Sequence, residues 1–277
     1  MPIIDSQIHA YERNHPGRPW LNVPNWPAEV NGDQMVAAMD EVGVDGAVFI
    51  SPFTMYGYDA SYALEVYRRH PGRFCLIKPV DPADPAVGET IDDWAAQDGT
   101  VAVRIMLDRV DASEAGIARV AQAAAKNNMP LNLLAWGRLD LAHQIAAKHP
   151  DTVIIIDHLG IVQPHNPPAP KEPWGDLPKV EKLAQLKNVR IKISGACTLS
   201  HEPFPYNDIW DPLARIFDAY GLERCMWGTD WTRTAAILTY REGVEPFRLT
   251  DRLSQSDKAM LMGGALTKIY NWSPKKA

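Results

Sequence analysis

Eight short runs rich in β-branched and apolar residues recur along the chain, and their alternation with helical patterns constrains the fold more than any other feature. They lie at Ile3–His9, Gly46–Ser51, Phe74–Val80, Val101–Leu107, Leu131–Trp136, Val153–His158, Val189–Ser194 and Cys225–Asp230. Amphipathic helical patterns fall between or after them, at Asp33–Val42, Ser61–His70, Val87–Ala96, Ser113–Asn127, Leu139–His149, Lys179–Leu186, Ile209–Tyr220 and Asp257–Tyr270. Val153-Ile154-Ile155-Ile156 is continuously apolar, as a strand covered on both faces of a parallel sheet must be. Eight strands alternating with eight helices over 277 residues predict an α/β fold, a (β/α)8 TIM barrel in one domain spanning 1–277. The competitor, a doubly wound open sheet, wants a glycine-rich phosphate turn after its first strand. Ile8-His9-Ala10-Tyr11-Glu12 is not one.

The connections divide into two kinds. His70-Pro71-Gly72-Arg73 and His149-Pro150-Asp151 are short helix-to-strand turns, which belong to the stability face of a barrel. The segments 11–29, 161–178, 196–207 and 232–250 are long and carry prolines and aromatics, among them Trp20, Trp26, Trp174, Phe204, Tyr206 and Tyr240. Loops that long in a compact domain are usually functional. These are too aromatic for disorder, so they are expected to cap the carboxyl face as pocket walls. Net charge is −6 with no block of like charge, which argues against nucleic acid or an anionic membrane as partner. No apolar run approaches the ~20 residues of a membrane span, and the N-terminus lacks a signal-peptide pattern. Cys75, Cys197 and Cys225 are scattered and odd in number, so they read as buried thiols of a cytoplasmic protein. A small-molecule partner is expected, and a homo-oligomer stays open.

Chemistry-bearing residues collect where barrel strands end. Gln7 and His9 share a face of the first strand by alternation. Arg104 sits in the fourth strand, Asp157-His158 closes the sixth, Lys192 and Ser194 lie in the seventh, and Asp230 closes the eighth. Closure of a barrel would bring His9, His158 and Asp230 to one pocket, so fold and site stand together. Each also has a structural reading: Asp157 could satisfy loop backbone, and Asp230 could cap a turn. Arg104 in an apolar strand needs a partner, either a substrate carboxylate or an internal ion pair. Tyr56, Arg13, His15, Arg233 and Tyr240 are loop candidates for substrate contact. Nine tryptophans, several in the loops, suit a flat or cyclic organic ligand.

The motifs Ile4-Asp5-x-Gln7-x-His9, Asp157-His158-Leu159-Gly160 and Met226-Trp227-Gly228-Thr229-Asp230-Trp231 resemble the amidohydrolase superfamily, in the branch that includes pyrone-dicarboxylate and sugar lactonases. Ser51-Pro52-x-x-x-Tyr56-Gly57-x-Asp59 is a softer match, and the resemblance spans nearly the whole chain. It implies the barrel and a hydrolase that opens a lactone ring of a small, carboxylated substrate. Asp230 would take a proton from water as general base, while His9 and His158 polarise the carbonyl or hold the oxyanion. Gln7 and Arg104 would contact substrate, with Tyr56, Arg233 and Arg13 behind them.

The resemblance also bears on metal. Its first strand usually ends His-x-His, and Gln7 stands in the first of those places. The set left for one zinc or manganese ion is His9, His158 and Asp230. Leu131–Trp136 has neither Lys nor His, so a binuclear centre is not expected. The cofactor expectation is therefore none or one divalent metal. A metal-dependent decarboxylase of an aromatic or unsaturated acid on the same fold is the alternative, and a catalytically silent small-molecule-binding barrel the third reading.

Overall fold

The computed structural model describes residues 1–22, 25–110 and 112–275. Pro24, one of the prolines of the first long loop, lies outside them, as does the end of the 1–277 domain. Eight parallel strands follow one another around the sheet in chain order: β1 (Ile4–Ile8), β2 (Gly46–Ile50), β3 (Phe74–Pro79), β4 (Thr100–Met106), β5 (Leu131–Leu134), β6 (Ile154–Ile156), β7 (Val189–Ser194) and β8 (Cys225–Gly228). With helices between them they make a nearly closed (β/α)8 barrel, the expected architecture. No helix among the described residues is long and apolar enough to cross a membrane.

Two apolar layers hold the barrel. The outer one packs β-strand residues such as Phe49, Leu133 and Ile193 against helix residues such as Met39, Val120 and Leu213. The inner one fills the amino-terminal half of the barrel with Val48, Ile50, Cys75, Ile77, Ala102, Ile155 and Met226. Leu266 and Tyr270 of the final helix Ala265–Tyr270 plug it from below. All three cysteines are free and buried.

The seam between β1 and β8 is stitched by backbone and side-chain hydrogen bonds together. Asp230 N–H donates to Gln7 carbonyl at 2.9 Å, and Ser6 Oγ donates to Met226 carbonyl at 3.3 Å. Asp5 Oδ1 accepts the backbone N–H of Thr229 at 2.9 Å and of Gln7 at 3.0 Å. Thr229 and Tyr240 hydroxyls donate to its other oxygen. Burial pushes the Asp5 carboxyl up to about 6, with Thr229, Gln7 and Tyr240 pulling it back. The strands approach so closely here that a Cβ on Gly228 would sit 2.6 Å from Ser6 Oγ.

Register slips between Asp5 and Ile8, where three steps of β1 answer two of β2. Such a bulge re-aims side chains. Ile4 belongs to the barrel's inner apolar layer, whereas Ile8 packs outward against the helices. Gln7 and His9 are thereby turned inward, above the apolar plug.

Two elements differ from the sequence pattern. The segment 232–250 is not an open loop: Trp231–Thr234 and Tyr240–Leu249 are helical. The second opens on a capping box in which Thr239 and Glu242 satisfy each other's backbone N–H. The pattern at Asp257–Tyr270 breaks into Gln255–Ala259, a π-helical turn over Met260–Gly264, and Ala265–Tyr270. A Cβ at Gly263 would strike the Pro2 carbonyl, so the helix widens to let the N-terminal strand pass.

Candidate active site

Strand ends deliver the predicted residues to one place. His9 follows β1, Arg104 lies in β4, His158 follows β6, Ser194 ends β7 and Asp230 follows β8. The backbone at His158 (φ 52°), Leu159 (φ 62°) and Asp230 (φ 53°) is left-handed. Residues other than glycine in that region carry strain, which gathers at functional turns where the surroundings enforce it. The sixth strand thus stops at Ile156, and the strand pattern through His158 gives way to a tight turn that swings His158 over the barrel mouth.

Asp230 is the centre. Its Oδ2 is gripped by Arg233 and lies 3.4 Å from His158 Nδ1, and its Oδ1 lies 3.5 Å from His9 Nε2. Burial pushes its carboxyl up, but Arg233, His158 and His9 more than reverse that, so Asp230 is held ionised below the usual range. Arg233 has no spare freedom: it also donates to Pro164 carbonyl at 2.9 Å and to Gln163 Oε1 at 2.5 Å, and lies over the Trp136 ring. Gly195, at φ +69°, leaves room for that clamp, since a Cβ there would overlap Gln163.

Hydrogen bonds assign both imidazoles. His9 Nδ1 faces the Ile50 carbonyl at 2.8 Å and must donate to it, which leaves Nε2 as an acceptor for Gln7 Nε2 at 3.3 Å. Arginine can only donate, so His158 Nε2 accepts from Arg104 Nη2 at 3.3 Å, and Nδ1 carries the proton toward Ser194 Oγ at 3.0 Å. Burial lowers His9 to about 4 and His158 to about 3, so both are neutral at neutral pH. Neutral rings that accept at Nε2 cannot hold an oxyanion through that atom. The cations that line the pocket are Arg104, Arg109 and Arg233.

Below them runs a wholly buried ion network. Arg104 Nε meets Asp157 Oδ2 at 2.7 Å, Lys192 Nζ meets Asp157 Oδ1 at 3.0 Å, and Asn132 donates to Asp157 at 3.1 Å. Arg104 therefore has its internal ion pair, and Asp157 serves that network. Burial raises the Asp157 carboxyl, but Lys192 and Arg104 overcome this and hold it well below the usual range.

The pocket above has a cavity volume of only about 30 Å³ and is lined by His9, Trp26, Phe53, Arg104, Arg109, Trp136, His158, His165 and Arg233, among others. Trp26 stacks on His9 at 5.4 Å between centroids, and Asn25 donates to Asn166 at 2.8 Å, tying two long loops across the mouth. Wider clefts lie elsewhere, one at the amino-terminal face beside Met1, Arg73 and Lys275. That is the stability face of a barrel, and these chemistry-bearing groups are not there.

Other loop candidates lie apart from the pocket lining. Arg13 points into solvent beside Glu29, His15 pairs with Glu12, and the Tyr56 hydroxyl accepts from Glu12 N–H at 3.2 Å as part of a wall. Tyr240 belongs to the Asp5 seam. Sequence reasoning missed Arg109, His165, Trp136 and Phe53 as pocket residues. A basic residue five places after Arg104, just past the strand, was the available signal for Arg109.

The donor set does not fit a metal ion as it stands. His9 Nε2 is taken by Gln7, His158 Nε2 by Arg104 and Asp230 Oδ2 by Arg233. Asp230 Oδ1 alone lacks a hydrogen-bond donor, and one oxygen is too little for an ion that takes four ligands.

A 4-sulfomuconolactone hydrolase of Hydrogenophaga intermedia is 26% identical over 211 residues, covering 74% of this chain and 66% of that relative's length. A candidate 2-pyrone-4,6-dicarboxylic acid hydrolase from Pseudomonas putida superposes with a TM-score of 0.80 at 20% identity, over 99% of each chain. An amidohydrolase of Burkholderia multivorans, solved with bound zinc, gives 0.78 at 21% identity, over 98% of this chain and 100% of its own. These likenesses below 25% establish the barrel and nothing finer. The amidohydrolase family model matches residues 4–272, and with the strand-end residues placed as that resemblance implies, the chain belongs to the amidohydrolase family.

Proposed function

We propose that the protein is a hydrolase that opens the lactone ring of a small carboxylated substrate, with Asp230 as general base. The observation that carries this is Asp230 Oδ1, a buried oxygen of an ionised carboxylate with no hydrogen-bond donor, 3.5 Å from the His9 ring. That oxygen can take one hydrogen of a water molecule, turning the water's lone pair toward a substrate in the pocket. The carbonyl oxygen gains charge as water adds, and Arg104 stands ready to receive it. The ring oxygen then leaves with the proton that Asp230 took. An enol or sugar oxygen departs far more readily than an amine, so no strong Lewis acid is required of the site. The sequence likeness to a sulfomuconolactone hydrolase supports the lactone class.

The substrate's carboxylate is assigned to the arginine-rich wall. Arg109, a partly exposed lining residue, donates to Thr54 Oγ1 at 3.0 Å and lies 3.5 Å from Asp108 Oδ2, an exchangeable surface pairing that a substrate anion can replace. Arg109→Ala should raise KM for a carboxylated lactone about tenfold or more, with little change for an uncharged one. Equal KM changes for both would remove Arg109 from recognition. The direct test is acid release on a panel of lactones, with carbon dioxide followed in parallel. Carbon dioxide without ring opening would favour the decarboxylase, and neither product the silent barrel.

The pH profile carries its own prediction. Asp230 stays ionised through the mildly acidic range, so of the two groups flanking the attacking water the first to titrate is His9, near pH 4. The rate should stay level from roughly pH 8 down to 5 and fall as His9 gains a proton and loses its acceptor. A midpoint above roughly pH 6 in kcat/KM would contradict the neutral, buried His9.

A further inference from the structure

Lys192, on β7, has no exposed surface, and nothing in the hydrolytic step described above uses it. Its ammonium has two acceptors, Asp157 Oδ1 at 3.0 Å and Gln7 Oε1 at 2.9 Å. The second contact decides which way the Gln7 amide faces. With Oε1 turned to the ammonium, Nε2 turns to His9 Nε2 at 3.3 Å. The flipped amide would set N–H against ammonium and carbonyl oxygen against a ring lone pair, losing both bonds. Lys192 thus reaches His9 through one rigid group.

We propose that Lys192 is a positioning residue that, through Gln7, holds His9 as an acceptor and, as a fixed charge, keeps a divalent ion out of the site. It rests on the hydrolytic reading only for what His9 then does. Among the described residues the buried cluster has three cations, Arg104, Lys192 and Arg233, against two carboxylates, Asp157 and Asp230. Its net charge is one positive. A divalent ion would add two more in a place shielded from water, where like charges repel strongly. An anionic substrate neutralises the same excess. Gln7 and Lys192 act as a unit: an imidazole at position 7 would still have the ammonium against it.

Zinc uptake tests this without reference to turnover, so a failure of lactone hydrolysis would not be mistaken for a failure here. Wild-type protein dialysed against micromolar zinc should retain less than ~0.1 ion per chain, and so should Gln7→His, because Lys192 remains. Gln7→His/Lys192→Met should take up about one, and Gln7→His/Lys192→Arg should exclude the ion again. Stoichiometric zinc in wild type or in Gln7→His overturns the proposal, as does a folded Gln7→His/Lys192→Met protein that stays empty. The positioning half is read by 15N NMR of the histidine rings. Lys192→Met should shift His9 Nε2 away from its hydrogen-bonded value, and Lys192→Arg should restore it. An unchanged His9 signal in a folded Lys192→Met protein would overturn that half. If the Met variants do not fold, zinc content of wild type and Gln7→His still decides the exclusion, and the Nδ1–H tautomer of wild-type His9 decides the positioning.

Discussion

Asp230→Asn should lower kcat/KM for ring opening by roughly 10²- to 10⁴-fold while leaving the fold intact. Both halves follow from the same contacts. The asparagine oxygen can still accept from Arg233, so the clamp through Gln163 and Pro164 survives. The new amide N–H₂ would occupy the side facing His9 Nε2, 3.5 Å from Oδ1 in the native protein. That removes an unsatisfied buried oxygen but leaves buried Arg233 without its counter-charge, so Tm should fall while the protein still folds. Steady-state kinetics and a thermal melt on the same preparation check this. Activity within tenfold of wild type would show that another group takes the proton. A collapsed melt would show that the Asp230 charge is structural, balancing Arg233.

Much of this site was legible in the sequence, and the exceptions have physical reasons. Period and composition were enough for the eight strands, because parallel barrel strands are buried on both faces and cannot hide their apolar character. That His9, His158 and Asp230 belong together followed from the barrel, since strand ends in this topology meet whatever their separation along the chain. Protonation was not legible. Only the Ile50 carbonyl beside His9 and the Arg104 guanidinium beside His158 reveal that both rings accept at Nε2. Pocket membership was legible in part. Trp26 and Arg233 stood out, whereas Arg109 and His165 enter through loop packing that no local pattern encodes. The helix Tyr240–Leu249 was missed although its capping pair, Thr239 and Glu242, is visible three residues apart, because Pro246 in its interior reads as a breaker. Lys192 was visible as a lysine in an apolar strand, but its bond to Gln7 joins residues 185 positions apart.

The largest stability effect is expected at a residue that does not touch substrate. Asp157→Asn keeps shape and the contact with Asn132 but leaves Arg104 and Lys192 without their shared carboxylate. Removing one member of a buried ionic cluster leaves uncompensated charge, which costs about 3–5 kcal/mol. Urea unfolding should show that as a lower midpoint with an unchanged slope. Acid should report it too. The folded-state carboxyl of Asp157 lies below its unfolded value near 4, so its stabilisation is complete above that pH and is lost as pH falls through the depressed value. Wild type should therefore lose stability on acidification below about pH 4, and the Asn variant should lack that part of the slope. A variant as stable as wild type would show that water or a lost proton on Lys192 relieves the cluster. The three-fold replacement Arg104→Met/Asp157→Leu/Lys192→Met separates the ions' two roles. Apolar substitutes for a whole buried ion network are often neutral or stabilising, so this variant should recover most of the loss seen in Asp157→Asn. It should recover none of the activity, because Gln7 would have no ammonium to orient it and His158 no guanidinium. Stability without turnover would mean that the ions beneath Asp230 are retained for the chemistry they position, at the expense of a core that apolar residues could fill equally well.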